Sequence, residues 1–548
     1  MTGRITGISG PTVSADAAGL KLYERVFVGH AMLTGEVVRI EKNRSVIQVY
    51  ENTRGLAVSE PVEGTGTPLT VRLGPGILSG IFDGLQRPLQ TLRDESGPFI
   101  KTAKALNPLD FSRQWAFHRL IKEGDTLHPG DIIGYVREGP FQHTILCPPH
   151  VQGKLSWVAD KDIRLDSPVG ALEDGTEIPG YHDWPVRVRR PFRKKRSPSE
   201  RLVTGQRVID FLFPIARGGT AIMPGGFGTG KTILDQSIAK FADVDIVVYV
   251  GCGERGNEIA ELIEEFELLK DPWTNRTLME RTILCVNTSN MPVAAREASI
   301  YTAVSMAEYY RDMGLHVLML ADSISRWAEA LREISSSLEE LPGEEGYPTY
   351  LASRLSGFLE RAGVVESGGG KAGSLSMILS VSPPGGDFTE PVTQSCLRTS
   401  GAFLMLDTAL AHRRHFPAIN WFQSFSLYGS ELLEQEREMV PLEWEEARSR
   451  CKDILQKEEG LREVAEIVGV EGLQDPDRLL MHVAETIRLR FLSQNAYTED
   501  AFSAPERTLS IIRGILDFYD EASKRLKEGI PLEELLTGKG LRGEGIER

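Results

Sequence analysis

One octapeptide constrains this chain more than any other stretch. Gly225-Gly226-Phe227-Gly228-Thr229-Gly230-Lys231-Thr232 fills the pattern G-x-x-x-x-G-K-[ST] at every fixed position. Its glycines let successive backbone N–H groups turn inward around phosphate oxygens. Lys231 places a point charge on the β/γ-phosphates, and the Thr232 hydroxyl can ligate Mg²⁺. Thr220–Met223 predicts a short strand before the loop, and Ile233, Leu234, Ile238 and Ala239 predict a helix after it. Phosphates would then sit at a helix N-terminus. The stretch reads as a nucleotide-binding loop inside an α/β domain.

The rest of the chain must be built around that domain, and at 548 residues it exceeds one core. The formal net charge of −15 argues against nucleic acid as the main partner, because a surface that neutralises phosphates is normally basic. No apolar run approaches the length of a membrane span, and Met1–Ile5 does not open a signal peptide. A cytoplasmic chain is expected, any membrane association coming through partners. Five widely scattered cysteines, Cys147, Cys252, Cys285, Cys396 and Cys451, lack C-x-x-C spacing and are expected to be reduced thiols.

Taken in order, residues 1–66 alternate in the β manner, with Glu36–Glu41 and Ser45–Tyr50 flanking a Lys42-Asn43 turn, and predict an N-terminal antiparallel β-barrel. Residues 67–109 connect into the nucleotide domain, and the glycine-punctuated stretch Gly74–Leu85 reads as a linker. Residues 110–185 form a β-rich insertion, whose histidines His118, His128, His143, His150 and His182 have no metal-ligand spacing. Residues 186–435 alternate strand and helix signals, the pattern of a parallel α/β sheet, with Ile246–Val250 and Val317–Ala321 apolar enough for central strands. The basic run Arg187–Arg196 is expected to be a solvated linker or an intersubunit contact rather than a nucleic-acid patch. Residues 436–548 predict a C-terminal helical domain, with Leu480, Val483, Ala484, Ile487 and Phe491 on one face and Leu509, Ile512, Leu516 and Tyr519 on another.

Two strand ends carry candidate chemistry. Asp322 follows Val317–Ala321, where a carboxylate can hold a Mg²⁺ shell; a plain helix cap is the alternative. After the other strand comes Gly251-Cys252-Gly253-Glu254-Arg255-Gly256-Asn257-Glu258. Phosphoryl transfer needs a carboxylate to orient the attacking water and cations around the γ-phosphate, roles open to Glu254 and Arg255. A charged surface turn fits the same spacing.

These motifs, with Ala321–Trp327, Pro342–Pro348, Ser382–Phe388 and Arg413–Asn420, resemble the catalytic A subunit of the V-type and A-type rotary ATPases, prokaryotic branch. The resemblance implies a β-barrel, a bulge insertion, a RecA-like P-loop domain and a helical C-terminal bundle. It implies that ATP is made or hydrolysed with Mg²⁺ in an alternating ring of A and non-catalytic B subunits, borne by central and peripheral stalks and coupled to H⁺ or Na⁺ movement through a separate membrane sector. Carried over by position, Lys231 contacts the phosphates, Thr232 and Asp322 serve the metal, and Glu254 activates water. Arg255, Glu258 and Arg326 surround the phosphates, Phe416 packs on adenine, and Tyr497 closes the pocket; core packing is the alternative for either ring. An arginine finger would come from the neighbouring subunit. Gly226 stands where the family often has alanine or proline. Thr229 stands where its vacuolar branch has cysteine, so a thiol switch in the loop is excluded. Lys371–Val381 fits the family only loosely. The competing classes are a non-catalytic member of the ring and a nucleic-acid translocase with the same core.

Overall fold

A computed structural model describes residues 2–42, 44–97, 106–429, 432 and 442–537. The chain divides into two compact units: residues 1–198, 217–224 and 244–400 form one, and residues 199–216, 225–243 and 401–548 form the other.

In the first unit the predicted barrel is closed. Strands β1 (Thr2–Ser9), β2 (Thr12–Asp16), β3 (Glu24–Val28), β4 (Leu33–Glu41), β5 (Arg44–Val49) and β6 (Pro61–Pro68) pair in the order β1-β2-β5-β4-β3-β6, and β6 returns to β1. Alternation drives it: Val26, Val28, Val37, Ile47 and Val49 point inward to one apolar core. The insertion is a set of short antiparallel strands, with the hairpin Ile132–Glu138 and Phe141–Leu146 at its centre.

The parallel sheet runs Thr220–Pro224, Ala372–Val381, His316–Asp322, Ile246–Cys252, Thr282–Asn287 and Ile81–Phe82. Both expected central strands are interior, every residue of Ile246–Cys252 being buried. Ala372–Val381, the stretch whose sequence fitted loosely, lies between Thr220–Pro224 and His316–Asp322. Against the sheet packs the helix Val293–Asp312, buried over almost its whole length.

That burial overturns two expectations. The basic run is not a solvated linker. Arg187 donates to Glu36 of the barrel at 3.0 Å and to Glu297 at 2.7 Å. Arg190, 4% exposed, donates to Asp312 at 2.6 Å and to the imidazole of His182 at 2.8 Å. Arg189 and Arg193 remain exposed, as do Lys194–Arg196, which form an edge strand beside Gly363–Glu366. Buried carboxylates on the helix need counter-charges, and the run supplies them. Nor is Gly74–Leu85 a loose linker: the Glu138 carboxylate accepts from the Gly76 and Leu78 N–H groups at 2.6 and 3.2 Å, and Ile81–Phe82 joins the sheet.

The insertion's histidines are placed individually. His143 is buried between Glu138 at 2.5 Å and the Tyr309 hydroxyl at 2.9 Å. Burial, then the Arg190 charge, pushes the His182 imidazole well below its ordinary value, so it accepts as a neutral ring. Among the described residues no group of three or more His, Cys, Asp or Glu side chains is arranged to hold a metal ion. All five cysteines are buried thiols, and burial pushes Cys147, Cys252 and Cys451 up to about 12.

The second unit holds the helix Lys231–Phe241 and the C-terminal helices Leu442–Val468, Asp475–Thr486, Pro505–Lys527 and Leu532–Thr537. The stripe Leu480, Val483, Ala484, Ile487 and Phe491 is buried as predicted. Of the expected helical domain, residues 436–441 and 538–548 lie outside the described residues. Phe211 meets Trp444 and Phe491 edge-on, at 5.1 and 5.0 Å between ring centroids.

Replacing Glu297 by alanine leaves Arg187 facing Glu36 alone, and the expected loss is about 3–5 kcal/mol in urea unfolding. A Glu297→Ala chain as stable as its parent would refute the pairing.

Candidate functional site

In the second unit, the loop Gly225–Thr232 is shaped by its glycines. Gly228 and Gly230 have φ of 77° and 82°, and Gly230 caps the N-terminus of the helix Lys231–Phe241. A Cβ on Gly225 would lie 2.7 Å from Leu406 Cβ, so a larger residue cannot stand there. At Gly226 it would lie 3.1 Å from Thr408 Cγ2, so a side chain there requires Thr408 to shift by a few tenths of an ångström. Thr229 is 2% exposed and its hydroxyl donates to the Gly226 carbonyl at 2.9 Å, tying the loop across itself. The Lys231 ammonium donates to the Gly225 carbonyl at 2.6 Å. Phe227, at the tip, is 92% exposed.

Phe416 packs against this loop, its ring 3.2 Å from where a Cβ on Gly230 would be; it is 39% exposed. Core packing does not describe it. Tyr497 is 82% exposed, and its N–H donates to Asn495 Oδ1 at 2.9 Å. These segments are tied together by Gln494, which no sequence signal marks. Its N–H donates to the Phe416 carbonyl at 2.7 Å, its amide nitrogen to the Gly205 carbonyl at 2.8 Å, and its amide oxygen accepts from the Arg207 N–H at 2.8 Å. Arg207, fully buried, forks onto Asp500 at 2.5 and 2.8 Å and also donates to the Phe491 and Ser493 carbonyls.

The other predicted residues belong to the first unit, on the carboxyl ends of the sheet strands. Asp322 ends its strand in register with Gly251, is 5% exposed, and is not the helix cap: Ser323 holds that position, without a side-chain cap bond. Gly253 has φ of 75°, and its N–H donates to the Asn287 carbonyl at 2.7 Å. The Ser289 N–H donates to the Glu254 carbonyl at 2.9 Å, so both backbone bonds fasten the turn to the loop after Thr282–Asn287. Arg255 caps the helix Gly256–Leu268 and lies 3.7 Å from Glu258, both of them exposed. Arg326 forks onto Glu329 at 2.8 and 2.9 Å. That hydrogen-bonded pair, then the charges of Glu254 and Asp322, raises the guanidinium above its ordinary value against burial.

The predicted residues thus fall into two groups. Lys231, Thr232, Phe416 and Tyr497 lie on one unit, and Glu254, Arg255, Glu258, Asp322 and Arg326 on the other. The chemistry of each suits a nucleotide: a glycine-rich loop at a helix N-terminus, and carboxylates with arginines at strand ends.

Comparison with known proteins covers nearly the whole chain. Family models match residues 5–66 (ATP synthase alpha/beta family, beta-barrel domain), 106–187 (ATP synthase alpha/beta subunit barrel-sandwich domain), 205–426 (ATP synthase alpha/beta family, nucleotide-binding domain) and 434–536 (C-terminal domain of V and A type ATP synthase). An A-type ATP synthase A subunit of Methanospirillum hungatei is 49% identical over 98% of this chain and 93% of its own. Those of Methanopyrus kandleri and Halobacterium salinarum are each 50% identical, covering 97% and 98% of this chain and 92% of theirs. Among solved structures, the assembled ATPase EscN of the enteropathogenic E. coli type III secretion system shares the fold, with a TM-score of 0.67 at 22% identity over 94% of this chain and 100% of that one.

His415, next to Phe416, is 8% exposed, and burial followed by the Arg488 charge lowers its pKa to about 4. Unfolded, the ring titrates near 6.5, so only the unfolded chain takes a proton between those values. The stability this neutral ring carries is complete above pH 6.5 and lost as pH falls towards 4. His415→Gln is expected to flatten the pH dependence of urea unfolding in that window, by at most ~3 kcal/mol. An unchanged slope would show that the histidine is not buried as described.

Proposed function

Because this chain belongs to the family of A-type ATP synthase A subunits, we propose that it makes and hydrolyses ATP with these two groups of residues. The observation that carries this reading is the glycine-rich loop at the N-terminus of the helix Lys231–Phe241, with the Lys231 ammonium turned into it. Backbone N–H groups there receive the phosphates, and Lys231 moves from the Gly225 carbonyl to the β/γ-phosphate oxygens. Glu254 orients the attacking water and accepts its hydrogen bond, while Arg255, Glu258 and Arg326 shape the charge around the γ-phosphate. Thr232 and Asp322 would hold Mg²⁺, which would supply positive charge against the phosphates. Phe416 stacks on adenine, and the exposed Tyr497 ring covers the base.

The chain's family places it inside a multi-subunit complex. In finer detail, we propose an alternating ring with a non-catalytic B subunit that lends the missing arginine finger. Central and peripheral stalks would couple the ring to H⁺ or Na⁺ movement in a membrane sector, with this chain on the cytoplasmic face. No helix among the described residues is long and apolar enough to cross a membrane. The division at residues 66, 109, 185 and 435 is part of the same proposal, the nucleotide chemistry residing in 186–435.

In the assembled complex, Glu254→Gln should keep nucleotide affinity while turnover falls by orders of magnitude, roughly 10²-fold or more, because only water positioning is lost. Unchanged turnover would exclude that role. Lys231→Ala should weaken both ATP binding and turnover. Retention of both would refute the phosphate-loop reading, and an assembled complex with unaltered Mg-ATP hydrolysis in both variants would assign this chain a non-catalytic place in the ring.

A further inference from the structure

The turn bearing Glu254 is braced by a residue that belongs to none of the sequence motifs. Arg296 stands in the first turn of the helix Val293–Asp312 and is 9% exposed. Its Cδ lies 3.2 Å from where a Cβ on Gly253 would sit, and Arg326 Cβ lies 2.6 Å from the same point, so both arginine stems close on the turn. The Arg296 Nη2 donates to the Ser289 carbonyl at 3.0 Å. The Ser289 N–H donates in turn to the Glu254 carbonyl. From the other direction, the Cys252 thiol donates to the backbone carbonyl of Arg296 at 3.7 Å. Arg296 therefore meets Cys252 through its backbone carbonyl, approaches Gly253 with its side-chain stem and holds Ser289 with its guanidinium, and Ser289 in turn holds the Glu254 carbonyl.

The Arg296 side chain is directed at Ser289 rather than satisfied along its length. Its Nε is buried and has no hydrogen-bond partner among the described residues, a cost that an apolar side chain of similar length would avoid. Holding Ser289, and with it the Glu254 carbonyl, is what a shorter or apolar residue could not do.

We propose that Arg296 is a positioning residue for the reaction: through the Ser289 carbonyl it fixes the backbone at Glu254, and so the direction in which the Glu254 carboxylate meets the attacking water. The inference rests on the assignment of Glu254 to that water. A misplacement of about 1 Å at such a carboxylate can cost about 10²-fold in rate while leaving substrate binding intact.

The test uses the assembled complex, with kcat and KM for Mg-ATP and thermal unfolding measured for R296A, R296K, E254Q and the double variant R296A/E254Q. Expected for R296A is a kcat lower by roughly 10–100-fold with KM within about twofold, and for R296K, which keeps a donor for Ser289, a partial recovery. In the E254Q background, R296A should cost less than about twofold more, because the two residues act as one unit. A parental kcat in R296A, a raised KM with kcat unchanged, or full additivity with E254Q would overturn the inference. Should R296A fail to assemble, Arg296→Gln, which retains an amide donor, should fall between the parent and E254Q, and a parental kcat there would overturn it equally. If E254Q itself keeps its turnover, the Glu254 assignment falls first and this inference with it; if E254Q is impaired and R296A is not, only the inference falls.

Discussion

The first unit depends on burying the helix Val293–Asp312 around its whole circumference. A helix so enclosed is normally apolar, yet this one carries Glu297, Glu308, Arg311 and Asp312, each no more than 5% exposed. Each carboxylate is met from another part of the chain, Glu297 by Arg187 and Arg354, Glu308 by Arg361 and Asp312 by Arg190, and Arg311 of the helix itself also pairs with Asp312. Arg187 also reaches Glu36 in the barrel. Pairs of this kind add little net stability over well-packed apolar groups, but an unmatched charge at this depth is very costly. Barrel, insertion end and sheet are consequently held to one arrangement around the helix. The site residues of this unit inherit their accuracy from it, since Asp322 and the Glu254 turn stand at the ends of strands that the same helix covers.

What the sequence disclosed was whatever short-range pattern determines. The strand before Gly225, the helix after it, the two apolar strands and the Asp322 strand end are spelled out within a few residues each, and the structure has these elements as read. The basic run failed for the opposite reason: the carboxylates that bury Arg187 and Arg190 lie 110 and 122 residues further on. Gly74–Leu85 looked like a linker because Glu138, which satisfies its N–H groups, comes 62 residues after Gly76. Ala372–Val381 was obscure because Ser374, Ser376 and Ser380 interrupt its apolar pattern although all three are buried.

The site shows the same division. Residue types at Lys231, Thr232, Glu254 and Asp322 follow from chemistry and could be named in advance. Their supports could not. Gln494 is an ordinary glutamine until its three hydrogen bonds join Gly205, Arg207 and Phe416, and Arg296 is one of many charges on a helix until Gly253 and Ser289 are beside it. Positioning residues lack a sequence signature because their work is defined by a neighbour brought near by folding.

The buried thiols give the chain a property of experimental use. An alkylating reagent reacts with thiolate, so cysteines that are both enclosed and pushed by burial well above the ordinary thiol value are silent in the folded state. Four of them, Cys147, Cys252, Cys285 and Cys396, belong to the first unit, and Cys451 alone to the second. Pulsed labelling with mass readout therefore distinguishes which unit opens without any residue being introduced, and a single cysteine placed on the surface can carry a probe while the native five remain in place.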